Sequence, residues 1–277
     1  MDIGIIGLGL MGGSLGFALK KFYKKYHVIG YDHNKRHQEE ALLLNLVDEV
    51  YEEFEDIKKC EVIFLTIPVD AIITTINKLQ DIPKDKTIID FGSSKSKISN
   101  SISKDIRELV VTAHPMTGTE KFGPTASIDG LYRDKIMVIC DREKSGELQL
   151  NRAIEIFNDI GAKIIFMGAD EHDRHAAFIS HMPHAVSYAI ANSVMKQEDS
   201  TNIIALAGGG FRSMSRIAKS SPNMWEDIFR QNRENLLEAI DAFSQELKVC
   251  REMIEDKNWK ELHQWMLEAN SLHKILD

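Results

Sequence analysis

The chain has 277 residues, 43% of them hydrophobic, enough for one large or two ordinary domains with real cores. A net charge of −8 argues against nucleic acid or an anionic membrane as the main partner, and no apolar run reaches membrane-spanning length. Cys60, Cys140 and Cys250 are scattered without a CxxC pair, which suits a reducing cytoplasm, and the opening MDIGIIG lacks the basic and long apolar regions of a signal peptide.

The first predicted strand, DIGIIG, runs straight into glycines. Gly7, Gly9 and Gly12 have GxGxxG spacing, with Leu8, Leu10 and Met11 between them, and an amphipathic stretch, Ser14–Lys25, follows. Gly7 permits a tight turn, Gly9 lets a pyrophosphate approach the backbone, and Gly12 lets helix and strand pack closely. The helix N-terminus offers N–H groups and positive potential to the phosphates. The second strand, HVIGYD, ends on Asp32, about 20 residues downstream, where an acid binds the adenosine ribose hydroxyls and repels a 2′-phosphate. A dinucleotide site that favours NAD over NADP is expected, with His33, Lys35 and Arg36 close to the discriminating position.

The third strand, EVIFLTI, leads into Ile67 and Pro68, which are expected either beside the adenine and ribose or in a purely structural turn. A helical pattern, Val69–Leu79, comes next. KTIIDFG then delivers Ser93, Ser94 and Lys95, and VVTAHP ends on His114, where Pro115 forbids a ladder hydrogen bond. KIMVIC, a helix over Gly146–Ile160 and AKIIFMG complete the β-rich part. Strands alternating with helices predict an α/β fold, a Rossmann-type and largely parallel sheet with right-handed crossovers. Ligands in such sheets sit outside the carboxyl ends of the strands. Ser93 and His114 are therefore expected to meet there, with a serine that merely caps the helix near Lys95 as the alternative.

After Gly168 the β-rich runs stop, so the chain is divided into a nucleotide-binding domain, 1–168, and an all-helical domain, 169–277. Asp170 is expected to cap the first long helix, with Asp173 three residues on. Pro183 must kink or widen that helix, and His181 and His184, at i and i+3, share one of its faces. LAGGGFRSMSRIAKSSPNMW then supplies three glycines, Arg212, Arg216, Ser220 and Trp225; paired arginines suit a carboxylate. No metal is expected: His172 and His181 fall on opposite helix faces, and no cysteine or carboxylate completes a tetrahedral set at standard spacing. From Asn223 to Leu276 the residues Trp225, Phe229, Leu236, Leu237, Ile240, Phe243, Leu247, Ile254, Trp259 and Leu262 carry more apolar surface than one helix partner could cover. A homodimer is the expected solution, with Gly208–Gly210 near the partner chain.

Five blocks, GLGLMGGSLG, DFGSSKSK, AHPMTGTEKFG, DEHDRHAAFISHMPHA and GGGFRSMSRIAKSSPNMWEDIF, together resemble the prephenate dehydrogenase family in order and spacing. The resemblance implies a nucleotide-binding domain, a helical dimerisation domain and an active site in the cleft between them. It implies oxidative decarboxylation of prephenate to 4-hydroxyphenylpyruvate with NAD, in tyrosine biosynthesis. By the family pattern His114 accepts the hydrogen bond of the ring C4 hydroxyl, and Ser93 orients both groups. Arg216 matches the arginine that binds a substrate carboxylate. His184, Ser220 and Trp225 match residues lining the pocket, and Glu120 an acid of an ionic network at its mouth. Ser213 stands where family members often carry an acid, so that network is expected to be weaker or to draw on Arg212. No chorismate mutase segment is expected before Met1 and no regulatory domain after Asp277; tyrosine competing at the substrate site stays open. Two alternatives also stay open: arogenate dehydrogenase, and a non-catalytic NAD-sensing protein, which would not need Ser93, His114 and Arg216 together. A β-hydroxyacid dehydrogenase would carry K-x-x-N where this chain reads SHMPH.

Overall fold

The computed structural model of the chain describes residues 1–197, 200–272 and 274; Leu276, where the predicted apolar segment ends, lies outside them. One eight-stranded sheet organises the first part of the molecule. Its strands are β1 (Asp2–Ile6), β2 (His27–Tyr31), β3 (Glu49–Val50), β4 (Val62–Leu65), β5 (Thr87–Asp90), β6 (Val110–Pro115), β7 (Ile136–Cys140) and β8 (Lys163–Met167). Their order across the sheet is β3-β2-β1-β4-β5-β6-β7-β8. β1 to β6 pair in parallel, β7 runs antiparallel to β6, and β8 is parallel to β7. The first six strands thus follow the dinucleotide-binding order, with its reversal between β1 and β4.

Between the strands lie α1 (Leu10–Lys20), α2 (Lys35–Leu43), α3 (Phe54–Ile57), α4 (Val69–Lys78), α5 (Ser96–Ser101) and α6 (Glu147–Asp159). Parallel strands covered on both faces read as continuous apolar runs, and β4 and β5 are buried along their whole length. Alternate residues feed two cores. Ile3, Ile5, Phe64, Ile89 and Val111 point into one with Leu15 and Phe157; Ile6, Ile63, Leu65, Ile88 and Val110 point into the other with Ile72 and Ile76. Three local readings shift. α1 starts at Leu10 rather than Ser14, so Gly12 and Gly13 lie inside it. The two-residue β3 is too short for a periodic signal. The β6–β7 pair is antiparallel because residues 116–135 return along the sheet without a crossover helix.

Helices follow from Ala169: α7 (Ala169–Ala176), α8 (Met182–Met195), α9 (Ser200–Ala205), α10 (Gly209–Ser215), α11 (Pro222–Gln231), α12 (Arg233–Glu255) and α13 (Trp259–Asn270). A wide π turn, Ala177–His181, separates α7 from α8, and Pro183 sits in the first turn of α8. Proline has no N–H and its ring crowds the carbonyl four residues back, so the helix widens there. The expected cap at Asp170 is not formed: Gly168 is the N-cap of α7, and Asp170 lies in its first turn, accepting the Ser96 hydroxyl at 2.6 Å. The chain forms two compact units, Met1–Asn232 and Arg233–Asp277. The first holds the sheet and the helices through α11; the second holds α12 and α13. Among the described residues no helix is long and apolar enough to cross a membrane.

Candidate active site

Strand ends gather on one edge of the sheet: Gly7 follows β1, Asp32 follows β2, Thr66 to Pro68 follow β4, Ser93 follows β5, and His114 lies at the end of β6. Gly7 has φ +96°, a left-handed conformation that favours glycine, and a Cβ there would lie 2.5 Å from Ile67 Cγ2. Ile67 therefore lies against the turn. A Cβ on Gly12 would lie 1.9 Å from the Gly7 carbonyl oxygen and 2.6 Å from Thr66 Oγ1. Around Gly9, by contrast, a Cβ would meet nothing within 4 Å, so this side of the loop is open. It leads to the first turn of α1, where Leu10, Met11 and Gly12 present N–H groups that no helix satisfies internally.

Leu8 buries its side chain and turns its N–H to Asp32 Oδ2 at 2.8 Å, while the Asn34 N–H meets Oδ1 at 2.9 Å. His33 Nδ1 and His37 Nδ1 stand 3.3 and 3.4 Å from the same carboxylate. Tyr132, fully buried, donates its hydroxyl to the Met11 carbonyl at 2.6 Å and steadies the loop from behind. Pro68, exposed, is the N-cap residue of α4. An open glycine cradle, a helix N-terminus and an acid at the second strand end fit a dinucleotide.

Five residues of β6 are buried and His114 alone is partly exposed. Its Nδ1 lies 2.8 Å from His172 Nε2, and His172 Nδ1 lies 2.8 Å from Asp173 Oδ1. Asp173 also accepts the backbone N–H of Lys95 at 2.7 Å and that of Ser96 at 2.9 Å. This carboxylate from α7, and not Ser93, caps α5. Burial pushes the Asp173 carboxyl up, but the bonds from His172 and the two amides outweigh it and hold it below the usual carboxylate range. Asn232 donates to the Asp173 carbonyl at 2.6 Å and lies 3.1 Å from His181 Nδ1. Burial lowers His181 to about 4.

Beneath His114 sits Lys95, wholly buried and paired with the equally buried Asp90. Its ammonium also donates at 2.7 Å to the carbonyl of Ala113, the residue before His114. Burial raises the Asp90 carboxyl despite this partner. Desolvation first, then the neighbouring His172, Lys95 and His181, hold His114 well below the ordinary histidine range, so its imidazole is neutral. Ser93 is partly buried and makes no hydrogen bond to His114, whose Nδ1 is taken by His172.

The helical residues form a second group. His184 stacks on Trp225 with ring centroids 3.5 Å apart, and His181 meets the same indole edge-on at 6.0 Å. Both histidines thus share a face. His184 Nδ1 donates to the Ser180 carbonyl at 2.9 Å, and burial lowers its pKa. The indole N–H of Trp225 is buried without a partner among the described residues. Tyr188 donates to the Ser220 carbonyl at 2.9 Å and Ser187 to that of Met214 at 2.8 Å, pinning the turn that carries the exposed Arg216 to α8. Arg230 and Gln231 of α11 and Lys97 of α5 converge on Asp70 at 2.7, 3.0 and 2.9 Å, anchoring the Trp225 helix beside Pro68. Glu120 forms no ion pair with Arg216 or Arg212 among the described residues; Arg212 donates instead to the Ala207 carbonyl at 3.1 Å. Sequence reasoning missed the roles of His172, Asp173, Lys95 and Asn232.

Two families match in succession: "Prephenate dehydrogenase, nucleotide-binding domain" over residues 15–166 and "Prephenate dehydrogenase, dimerization domain" over residues 168–268. A cyclohexadienyl dehydrogenase of Zymomonas mobilis is 31% identical across 91% of this chain and 88% of its own length. The crystal structure of prephenate dehydrogenase from A. aeolicus, in complex with hydroxyphenyl propionate and NAD+, matches with a TM-score of 0.93 and 30% identity, covering 100% of this chain and 98% of that one. Synechocystis arogenate dehydrogenase matches with a TM-score of 0.84 and 27% identity, covering both chains fully at 100%.

Proposed function

The chain belongs to the prephenate dehydrogenase family, and on that premise we propose how its residues carry the NAD-dependent oxidative decarboxylation of prephenate to 4-hydroxyphenylpyruvate, a step of tyrosine biosynthesis. The observation that carries the proposal is a neutral imidazole, His114, at a strand end on the edge that bears the glycine cradle.

When bound, NAD supplies the acceptor for the hydride that leaves C4 of the substrate. Gly7, Leu8, Gly9, Leu10, Met11 and Gly12 would hold its pyrophosphate and Asp32 its ribose hydroxyls, with Ile67 and Pro68 as the residues that would take the adenosine side. His114 takes the C4 hydroxyl proton as the hydride departs, the task of a neutral base. Ser93, whose hydroxyl no described residue engages, is left to orient the C4 hydroxyl. Arg216 grips a carboxylate, and His184, Ser220 and Trp225 line the pocket; the unpartnered indole N–H of Trp225 supports that role. Glu120 and Arg212 stand at the mouth. Loss of carbon dioxide then aromatises the ring.

Leu247, Ile254, Trp259 and Leu267 of the second unit are exposed, which supports a homodimer of the 31.4 kDa chain; light scattering at twice that mass supports it and an active monomer defeats it. Free cysteines at 60, 140 and 250 support a reducing, cytoplasmic setting.

The substrate assignment is tested by following NADH formation with prephenate and with arogenate, each with NAD and NADP. Prephenate with NAD should give the highest kcat/KM. A higher value for arogenate moves the assignment to the amino analogue, and no NADH from either ends the enzymatic reading.

A further inference from the structure

We propose that His172, held by Asp173, is the proton partner of His114: it fixes which nitrogen of His114 meets the substrate and holds the substrate's proton until that proton is returned. The proposal rests on His114 being the base. A carboxylate can only accept, so the Asp173 contact at 2.8 Å places the N–H of His172 on Nδ1. With a single proton on the ring, held on Nδ1, the lone pair of His172 lies on Nε2. That atom lies 2.8 Å from His114 Nδ1, so His114 carries its own N–H on Nδ1 and keeps the lone pair on Nε2. One anion at the end of the row sets both tautomers. Asp173 is fixed in turn by the Lys95 and Ser96 amides and, through its backbone carbonyl, by Asn232.

The chemistry calls for a proton store. As the C4–H bond breaks and its electron pair leaves as hydride for the nicotinamide acceptor, the hydroxyl O–H bond breaks too and C4 becomes a carbonyl carbon. The bond from C1 to its carboxylate then breaks, the electron pair enters the ring, and the C4 oxygen becomes a phenolate. It takes a proton back to give the phenol, so one turnover releases no net proton. His114 alone is a poor store, because its surroundings hold the imidazole well below the ordinary range. When Nε2 gains the substrate's proton, the Nδ1 proton moves to His172 Nε2, one N–H bond breaking as another forms. The positive charge then rests on a ring in contact with a carboxylate. The reverse transfer delivers the proton to the phenolate. His114 comes from β6 and its partners from α7, so the base is complete only when sheet and helix are docked.

Nitrogen-15 NMR of the histidine-labelled wild-type protein tests the tautomers without any change of sequence, with His114→Asn and His172→Gln used to assign signals. At neutral pH both rings should carry the proton on Nδ1; a His114 proton on Nε2 overturns the proposal. Kinetics test the store. The glutamine of His172→Gln can accept from His114 Nδ1–H through its carbonyl oxygen but cannot take up a proton. It should lower kcat by roughly 10- to 100-fold, with KM for prephenate and for NAD within about twofold of the parent. A kcat within about threefold of the parent, or a loss confined to KM, overturns the proposal. If His114→Asn is itself active, the underlying reading fails; if only His172→Gln is active, the relay alone fails. Should the variant not fold, the wild-type spectrum still decides.

Discussion

Replacing Lys95 by methionine probes the buried charge that supports the base. Lys95 and Asp90 are both fully shielded from solvent, and Asp90 Oδ2 already lacks a hydrogen-bond partner among the described residues. Without the ammonium, Asp90 must stay ionised in an apolar site or bind a proton. Its ordinary pKa is 3.8, so protonating it at pH 7 costs about 1.36 × 3.2, roughly 4.4 kcal/mol. That agrees with the ~3–5 kcal/mol found when one partner of a buried pair is removed. The lost bond to the Ala113 carbonyl adds to the deficit. The sign with pH follows from proton binding. In the variant the folded state keeps a proton on Asp90 that the unfolded state releases above 3.8, so stability falls as pH rises. Urea unfolding of Lys95→Met should therefore show a deficit of about 4 kcal/mol at pH 7, shrinking by about 1.4 kcal/mol per unit toward pH 5. Adding Asp90→Asn should recover most of the loss and flatten the slope, since replacing both members of a pair is far cheaper than breaking it. A deficit under about 1 kcal/mol at pH 7, or one that does not shrink on acidification, would refute this account of the pair.

Gly12→Ala places a Cβ against the Gly7 carbonyl, which cannot yield without reshaping the loop; NAD affinity by fluorescence titration should fall at least about tenfold, and an unchanged value removes the loop from the site. Asp32→Ser should weaken NAD by about tenfold or more while lessening the penalty on NADP; unchanged KM for both cofactors would take Asp32 out of the ribose site. The folded protein keeps His181 neutral down to about 4, whereas the unfolded chain protonates it near 6.5. The unfolded state thus binds more protons across that window, and stability should drop by up to about 3 kcal/mol as pH falls through it, with His114, whose pKa is lowered in the same direction, adding to the slope. Denaturation midpoints that stay level between pH 6.5 and 4 would contradict the burial of His181.

The cofactor end was legible because its signals are local: a strand, three spaced glycines, and an acid at the next strand end. Strand and helix alternation likewise gave the α/β layout, and Pro183 announced the widened turn before α8. What escaped were partners far apart in sequence. Asp173 read as part of a capping box for its own helix, yet it caps α5, some eighty positions earlier in the chain. The antiparallel β7 depends on where residues 116–135 travel, which no short-range pattern records. One usable signal was present. Ala169, His172, Asp173 and Ala176 fall at i, i+3, i+4 and i+7, the spacing of a buried stripe, and they are the buried residues of α7. A histidine and an aspartate on the core side of a helix need partners, and that need points to the base.

The central claim is that His114 is the base of NAD-dependent prephenate oxidation. Its most direct test is the kcat of His114→Asn with prephenate, measured beside the NAD dissociation constant of the same variant. The account predicts a fall in kcat of roughly two to four orders of magnitude, with NAD affinity within about twofold of the parent. A kcat within about threefold of the parent would contradict it.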